Sequence, residues 1–313
     1  NKVNKLNIAS LKDVLGDMTL TNLLIEELDL SQINFNGNTL TLQCKQLNKI
    51  VGSETFNGSL FLLPKDCRLT EFTLEGISNI QGDFQCIDYF YVKEFVMPFI
   101  RVAGDMTIAL NSGSVNTAAE IEFPKLQEIG GTLTLGTNRN ANNITFPLLK
   151  KILGSCSVTT YNLKNDIEFT NLESIGTDGA DAQIKFEIEA TNILCPKLKT
   201  INGKFDIATS SFMFDMEVDK VSYPNVESIS ENLSITCPYS DFGSNGILSI
   251  DFSGLKSAKG ISISGQGDVT DFSSFKYLFE NNVLTGESQW SVKECGYNPT
   301  FQEMKDGKYK LAE

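Results

Sequence analysis

A phrase of thirteen residues recurs along this chain, with its apolar letters kept and its polar letters changed. It reads FPKLQEIGGTLTL at Phe123–Leu135, FPLLKKILGSCSV at Phe146–Val158 and CPKLKTINGKFDI at Cys195–Ile207. Repeats of roughly 20 to 50 residues build solenoids or propellers, in which each unit covers its apolar side by stacking on its neighbours. The repeat restricts the architecture more strongly than any other feature of the sequence.

Nine units align on this phrase, at spacings of 22 to 30 residues. The second apolar position follows the first after three residues and runs from Leu47 to Leu255, and the third runs from Ile50 to Ala258. The first apolar position falls at Cys44, Leu74, Val96, Phe123, Phe146, Phe169, Cys195, Tyr223 and Phe252.

Apolar and polar residues alternate within a unit, as at Leu133 and Leu135 or at Phe205 and Ile207. A period of two is typical of half-buried strands, and the linking phrase P-x-L-x-x-I-x-G is too short for a helix. The sequence therefore predicts a mainly β fold, a single parallel β-solenoid. Glycine is predicted at the corner before the second strand, where φ is positive or two backbones approach closely. The corner glycines are residues 52, 82, 104, 131, 154 and 203.

We expect a short helical cap at both ends, because the end of a solenoid exposes unpaired strand edges. Near the N-terminus, residues 10–13 match a capping box, Leu11, Val14 and Leu15 share one helical face, and Gly16 is a stop signal. Near the C-terminus, Asp271 or Ser273 is predicted to cap a short helix whose apolar residues are Phe275, Leu278 and Phe279.

We interpret Trp290, the only tryptophan, as an anchor of the C-terminal cap, with a ligand platform as the alternative. The segment WSVKECGYNPTFQEMKDGKY is predicted to be an irregular tail. We therefore expect one domain over residues 1–313, with an N-terminal cap at 1–27, about nine coils at 28–270 and a C-terminal cap and tail at 271–313.

The formal charge of −13 and a pI near 4.6 disfavour nucleic-acid binding, which needs clustered Lys and Arg. The same charge disfavours docking on anionic lipid surfaces. No run approaches the roughly 18 apolar residues that a membrane helix needs, so we expect no transmembrane segment.

The chain contains no histidine, which removes Ser-His-Asp and Cys-His catalysis together with the most common transition-metal ligand. The G-x-S-x-G, P-loop and EF-hand motifs are also missing, and Gly265-Gln266-Gly267 is interpreted as a turn. We predict no catalytic residue, no metal site and no cofactor.

The alternative is a carbohydrate-active β-helix enzyme that works with carboxylates alone. Asp215, Glu217 and Asp219 alternate with apolar residues and would project together from a strand, although a solvated face explains the same pattern. Asp178 and Asp181 form a second acidic pair in the loop TDGAD, which is more typical of a turn than of a calcium site.

The seven cysteines leave at least one unpaired. Cys44, Cys86, Cys156 and Cys195 fall on apolar positions of the repeat, so we expect them to be small buried core residues. The state of Cys67, Cys237 and Cys295 is left open.

Candidate partner-binding residues are sought in the longer insertions, because loops on a solenoid collect function. Phe212, Tyr239 and Phe242 lie in or beside such insertions, where aromatic rings can stack on sugars or peptides. Packing within the loop is the alternative use of these rings.

The phrases FPKLQEIGGTLTL, NLESIG at Asn171–Gly176 and YPNVESISENLSI resemble the receptor L domain of insulin and epidermal growth factor receptors. They are also similar to fungal cell-wall GPI proteins and to leucine-rich surface proteins of gut Bacteroidetes, whose lipoprotein ends the tail CGYNPTFQEMKDGKY resembles. The resemblance covers residues 44–263 and implies a right-handed solenoid, export and an adhesive role. The dense disulfide modules that follow receptor L domains are missing, so hormone binding is not transferred.

We expect a non-enzymatic recognition or adhesion protein, a monomer that binds a host or bacterial surface protein or a glycan. The alternatives are the carboxylate enzyme and a structural spacer that presents another domain. The resemblance implies export, either to the cell surface, with a lipid anchor on a removed N-terminal segment, or into the medium. The chain begins Asn1-Lys2-Val3 without a methionine or an apolar signal core, so we expect a trimmed or mature segment whose export signal would lie outside this sequence.

Overall fold

The computed structural model describes residues 6, 8, 10–63, 71–87, 94–111, 119–138, 141–161, 165–179, 181–188, 192–209, 220–237, 249–267 and 269–311. They form a parallel β-solenoid of about eight turns, which confirms the predicted fold class. Each full coil contributes one strand to each of three faces. We call these faces the long sheet, the short sheet and the third face.

The long sheet has twelve parallel strands, of which eight come from full coils, three from partial coils at the two ends and the last from the C-terminal cap. They are β1 (Met18–Thr21), β3 (Thr39–Gln43), β6 (Ser59–Leu62), β9 (Phe84–Ile87), β12 (Met106–Asn111), β15 (Leu133–Asn138), β18 (Cys156–Tyr161), β21 (Ala182–Ile188), β24 (Gly203–Thr209), β27 (Asn232–Cys237), β29 (Gly260–Gly267) and β30 (Trp290–Cys295).

The short sheet has eight parallel strands of two residues each. They are β5 (Thr55–Phe56), β8 (Asn79–Ile80), β11 (Arg101–Val102), β14 (Glu128–Ile129), β17 (Lys151–Ile152), β20 (Ser174–Ile175), β23 (Thr200–Ile201) and β26 (Ser228–Ile229).

The third face is divided into parallel sheets of three, five and two strands. The first contains β2 (Glu27–Asp29), β4 (Lys49–Val51) and β7 (Thr73–Glu75). The second contains β10 (Glu94–Val96), β13 (Ala119–Glu122), β16 (Ala141–Thr145), β19 (Ile167–Glu168) and β22 (Ile193–Leu194), and the third contains β25 (Lys220–Ser222) and β28 (Ser249–Asp251).

The apolar positions of the repeat form rows that run through the core along the solenoid axis. Phe123, Phe146 and Phe169 stack face to face, with ring centroids 4.8 and 4.9 Å apart and interplanar angles of 1° and 10°. This spacing matches the separation of neighbouring strands in a sheet, about 4.8 Å. Identical side chains in consecutive coils therefore contact one another directly, and all three phenylalanines are fully buried.

Two units were misaligned in the sequence analysis. Ile50 pairs with Leu74 on the third face, whereas Ile80 pairs with Phe56 on the short sheet, so Ile50 occupies a first position and not a third. Counting apolar letters could not detect this shift, because both positions are buried.

Val96 is the second misaligned residue. It is half-buried and pairs with Glu122, while the neighbouring Met97 is fully buried and donates its N–H to the carbonyl of Glu122. Met97 therefore holds the position that Phe123 holds in the next coil. The corner Met97-Pro-Phe99 is one residue shorter than Phe123-Pro-Lys-Leu126, which explains the error.

Glycine is needed at this corner because the backbones of neighbouring coils approach closely, and not because φ is positive. The N–H of Gly131 donates to the carbonyl of Gly104, and a Cβ at Gly131 would lie 2.2 Å from Oδ1 of Asp105. That Oδ1 accepts the N–H of Thr132 at 2.7 Å, so a side chain of one coil caps the backbone of the next. Gly52 does not belong to this corner, because its added Cβ would meet Ile77; the corner position of that coil is Gly58.

Connections from the long sheet to the third face vary most in length. The connection is residues 139–140 between β15 and β16, but residues 210–219 between β24 and β25 and residues 238–248 between β27 and β28. The largest differences in length therefore fall at one edge of the solenoid, which we call the variable edge; a smaller insertion, residues 176–181, lies at the corner between β20 and β21.

The predicted N-terminal helical cap is wrong. Residues 10–16 contain no helix; Asp13 forms a parallel bridge with Asn34, and the N–H of Val14 donates to the carbonyl of Asn34. Leu15, assigned to the apolar face, is 89% exposed. The capping-box letters failed here because the segment pairs with the first coil, an interaction that local pattern does not encode.

The predicted C-terminal helix is present as a 3₁₀ turn at Ser273–Phe275 followed by α1 (Lys276–Glu280). Oδ1 of Asp271 accepts the N–H of Ser273 at 2.7 Å, and the apolar residues Phe275, Leu278 and Phe279 are buried as expected.

The tail that follows is regular, contrary to expectation. After a 3₁₀ turn at Glu287–Gln289, Trp290 begins β30, and α2 (Phe301–Lys305) starts from a capping box between Thr300 and Glu303. Trp290 is buried and donates its indole N–H to the carbonyl of Pro299 at 2.8 Å, which confirms its role as the cap anchor. In the part of the chain that the structure describes, no helix has the length and apolarity needed to cross a bilayer.

We predict that Gly131→Ala lowers the free energy of unfolding by about 1–3 kcal/mol, because the added methyl group would collide with backbone atoms of the preceding coil. Gly136→Ala is the matched control, since no atom lies within 4 Å of its added Cβ. Urea denaturation followed by circular dichroism measures both, and equal midpoints for the two variants would contradict the close-approach account.

Candidate functional site

The third face breaks where β22 should pair with β25. The short sheet and the long sheet continue through the same two coils, because β23 pairs with β26 and β24 pairs with β27. On the third face the five-stranded sheet ends at β22 and the two-stranded sheet begins at β25. We call the gap between these two strands the seam.

A pocket of about 420 Å³ lies at the seam, within the size range of ligand pockets. Its lining comes from three strands of the third face and from the corners that follow two of them. The lining residues are Glu168, Asn192, Ile193, Leu194, Cys195, Pro196, Lys220, Val221, Ser222, Tyr223, Pro224 and Asn225.

At the seam, one row of core side chains changes from large phenylalanine rings to a small cysteine. The stacked row of Phe123, Phe146 and Phe169 continues at Cys195, whose side chain is far smaller than a phenylalanine ring. Cys195 is 7% exposed, whereas Phe169 is fully buried. The smaller side chain of Cys195 forms part of the pocket lining at the seam.

Tyr223 resumes the row on the other side of the seam. Its ring contacts Phe205 and Phe252 at centroid distances of 5.4 and 5.7 Å. Its hydroxyl group donates a hydrogen bond of 3.0 Å to the backbone carbonyl of Ile193 across the seam. A phenol therefore satisfies a strand carbonyl that lies at the edge of the five-stranded sheet.

Polar side chains fix the corners of the pocket. The side-chain amide of Asn225 donates to the carbonyl of Pro196 at 2.8 Å. On the opposite side, the backbone N–H of Asn192 donates to Oδ1 of Asp166 at 2.7 Å. Both bonds join one coil to the next, so the walls of the pocket are fixed even though β22 and β25 do not pair.

The rim of the pocket carries both charges. Glu168 is exposed on one side, and Lys220 lies on the other side, where its Nζ is 3.8 Å from a carboxylate oxygen of Asp251. Asp251 offsets the charge of Lys220, while Glu168 continues a column that contains Glu122 two coils earlier. The balance at the rim is therefore acidic.

Burial suppresses the acidity of the groups behind the pocket. It raises the pKa of the Cys195 thiol and of the Tyr223 hydroxyl well above their ordinary values, and it raises the pKa of Cys156 to about 12. Both lining groups are therefore neutral at physiological pH, and neither is an activated nucleophile. The arrangement is suited to binding.

Comparison with protein-family models, with curated proteins and with solved structures found no match to this chain. The function must therefore be argued from the seam and its surroundings.

The predicted partner-binding residues Phe212, Tyr239 and Phe242 lie outside the described residues. The acidic residues Asp215, Glu217 and Asp219 of the alternative enzyme also lie outside them.

The acidic pair in TDGAD is described. Asp178 and Asp181 are exposed, and Gly179 has a φ of 78°, which fits the turn interpretation. Within the described ranges, no group of three or more Cys, Asp or Glu side chains could hold a metal ion. Gly265-Gln266-Gly267 was wrongly interpreted as a turn: it ends strand β29, with a register irregularity between Ser264 and Gly267.

The sequence analysis missed the seam, although two signals were present. Cys195 was recognised as a buried residue at a phenylalanine position, and this is confirmed, as it is for Cys44, Cys86 and Cys156. The smaller side chain of Cys195 marks the coil at which the third face breaks. The second signal is Tyr223, which supplies a hydroxyl group at a position where its neighbours carry none.

We predict that the thiol of Cys195 resists alkylation in the native protein, because burial disfavours its thiolate. The partly exposed Cys295 should react before Cys195. Iodoacetamide labelling with peptide mapping, in buffer and in urea, distinguishes the sites. Rapid native labelling of Cys195 would show that the pocket opens to the core.

We predict that Tyr223→Phe lowers the free energy of unfolding by about 1–3 kcal/mol, because it leaves the carbonyl of Ile193 without its buried donor. Tyr297→Phe is the matched control, since its hydroxyl group donates to Lys308 in an exposed position. Chemical denaturation measures both variants. Equal losses of unfolding free energy in the two variants would show that the hydrogen bond from Tyr223 to Ile193 stabilises the fold no more than an exposed one.

Proposed function

We propose that this protein is a non-enzymatic recognition protein whose partner, a protein or a glycan, binds at the seam. The observation that supports this most strongly is the pocket itself. It is lined by three strands that the rest of the solenoid holds in place, and it offers polar, charged and apolar groups side by side. A pocket at an interruption of an otherwise continuous scaffold suits binding without large rearrangement.

The number of carboxyl groups in the described lining supports binding over hydrolysis. A glycosidase of the usual two-carboxylate type needs a general acid whose pKa is raised. In the described lining of the pocket, Glu168 is the single carboxylate.

The carboxylate enzyme is kept as the second candidate because of one observation. Lys220 lines the pocket, and it directly follows the acidic alternation that ends at Asp219. An enzyme would need those acids to meet Glu168 at the seam. The spacer alternative needs no binding site, so the pocket does not favour it.

We also propose an exported, surface-bound or secreted location and a kinship with receptor-L-domain-like and Bacteroidetes surface proteins. These proposals rest on the resemblance of the repeat phrases. The fold agrees with a solenoid repeat protein in general.

We predict that the purified full chain binds a member of a glycan or extracellular-protein array and releases no reducing sugar from a panel of polysaccharides. The combined variant Asp215→Ala, Glu217→Ala, Asp219→Ala should keep that binding. Sugar release by the wild type that the triple variant loses would overturn the proposal in favour of the enzyme. Absence of any binding together with absence of turnover would favour the spacer.

A further inference from the structure

The backbone groups that face the seam follow from the ladders on either side of it. Ile167 and Phe169 donate to the carbonyls of Asn192 and Leu194, so the carbonyls of these two residues point away from the seam. Residues of a parallel strand alternate in direction, so the N–H and the carbonyl of Ile193 point into the seam.

The opposite strand presents the complementary groups. The N–H of Tyr223 donates to the carbonyl of Asp251, so Val221 and Tyr223 direct their backbone groups toward β28. By the same alternation, the carbonyl of Lys220 and the N–H of Ser222 point into the seam. A regular ladder would join the N–H of Ser222 to the carbonyl of Ile193, but Tyr223 supplies the donor instead.

The seam therefore has two strand edges that face each other without pairing. Such edges add a further strand readily, because main-chain hydrogen bonds give affinity and neighbouring side-chain pockets give specificity. A sugar has no comparable complement to the alternating N–H and carbonyl groups of a strand. The backbone pattern favours a polypeptide as the occupant.

The side chains of the rim indicate the composition of that polypeptide. Leu194 is 36% exposed, and Pro196 and Pro224 are exposed beside it, so apolar side chains can pack there. Glu168 faces the same pocket, while the charge of Lys220 is offset by Asp251. An extended segment with alternating basic and apolar residues complements both features.

We propose that the seam binds a short extended segment of a partner protein, basic and apolar in alternation, by strand addition to the edges of β22 and β25. This rests on the proposed recognition function and names its ligand class. The partner's backbone carbonyls accept hydrogen bonds from the N–H groups of Ile193 and Ser222, while the carbonyl of Ile193 keeps its hydrogen bond from Tyr223. One of the partner's basic side chains pairs with Glu168.

The test uses the full chain and the labelled peptide KVKVKVK, with KVKPKVK and EVEVEVE as comparison peptides. Fluorescence anisotropy should show binding of the first peptide, with affinity weaker by about tenfold or more for the other two. Proline removes a backbone donor from the middle of the strand, and glutamate reverses the charge. Equal affinity for KVKVKVK and KVKPKVK would overturn strand addition.

Glu168→Lys should weaken binding of KVKVKVK by about tenfold or more. Glu122→Lys is the matched control, because Glu122, Thr145 and Glu168 lie in one column and only Glu168 lines the pocket. It should change the affinity by less than about twofold at physiological salt. If Glu168→Lys and Glu122→Lys weaken peptide binding equally, binding depends on the net charge of the chain, and the proposed site at the seam is wrong.

Hydrogen exchange with and without peptide locates the contact. We expect slower exchange at the amides of Ile193 and Ser222, and protection elsewhere without protection there would overturn the proposal. If the wild type does not bind KVKVKVK, and if its binding on the array is unchanged by Glu168→Lys, the proposed ligand class is refuted. The recognition function would still hold in that case. Sugar release, by contrast, would refute the recognition function itself.

Discussion

Each coil lies on the next in a fixed register, and the rest of the structure depends on this contact. The parallel ladder sets the spacing, and the stacked rings of Phe123, Phe146 and Phe169 repeat it within the core at 4.8 and 4.9 Å. Because each unit is buried only by its neighbours, a side chain that does not match the one above it has a direct structural effect. Cys195 is such a mismatch, and the third face separates beside it.

The fold was largely predictable because its determinants recur. Leu133 and Leu135 show the strand period locally, and repetition of the phrase indicates stacking without any knowledge of long-range contacts. The errors fall where the signal depends on the partner strand. Ile50 and Val96 are apolar in either alignment, so only pairing with Leu74 and Glu122 assigns them to a face. The capping box of Thr300 and Glu303 was readable but was overlooked in a segment assigned to a tail.

The candidate site was predictable to a much smaller degree. The site lies where β22 and β25 do not pair. Sequence patterns indicate which strands form, but they do not show where two predicted strands fail to pair. The exchange of a phenylalanine for Cys195 gave the location, but the hydrogen bond from Tyr223 to Ile193 requires the path of the chain. The aromatic residues chosen from loop composition, Phe212, Tyr239 and Phe242, fall outside the described residues and stay predictions.

The variable edge has a consequence for how such a chain changes over evolutionary time and under engineering. At the glycine corner of most coils, an added side chain would meet the backbone of the neighbouring coil, so extra sequence there is limited to the insertion at residues 176–181 between β20 and β21. The connection from β15 to β16, residues 139–140, lies on the edge where other coils already differ in length. New recognition segments grafted at that connection would line up along one side of the solenoid at intervals of one coil, and a multivalent display needs that geometry.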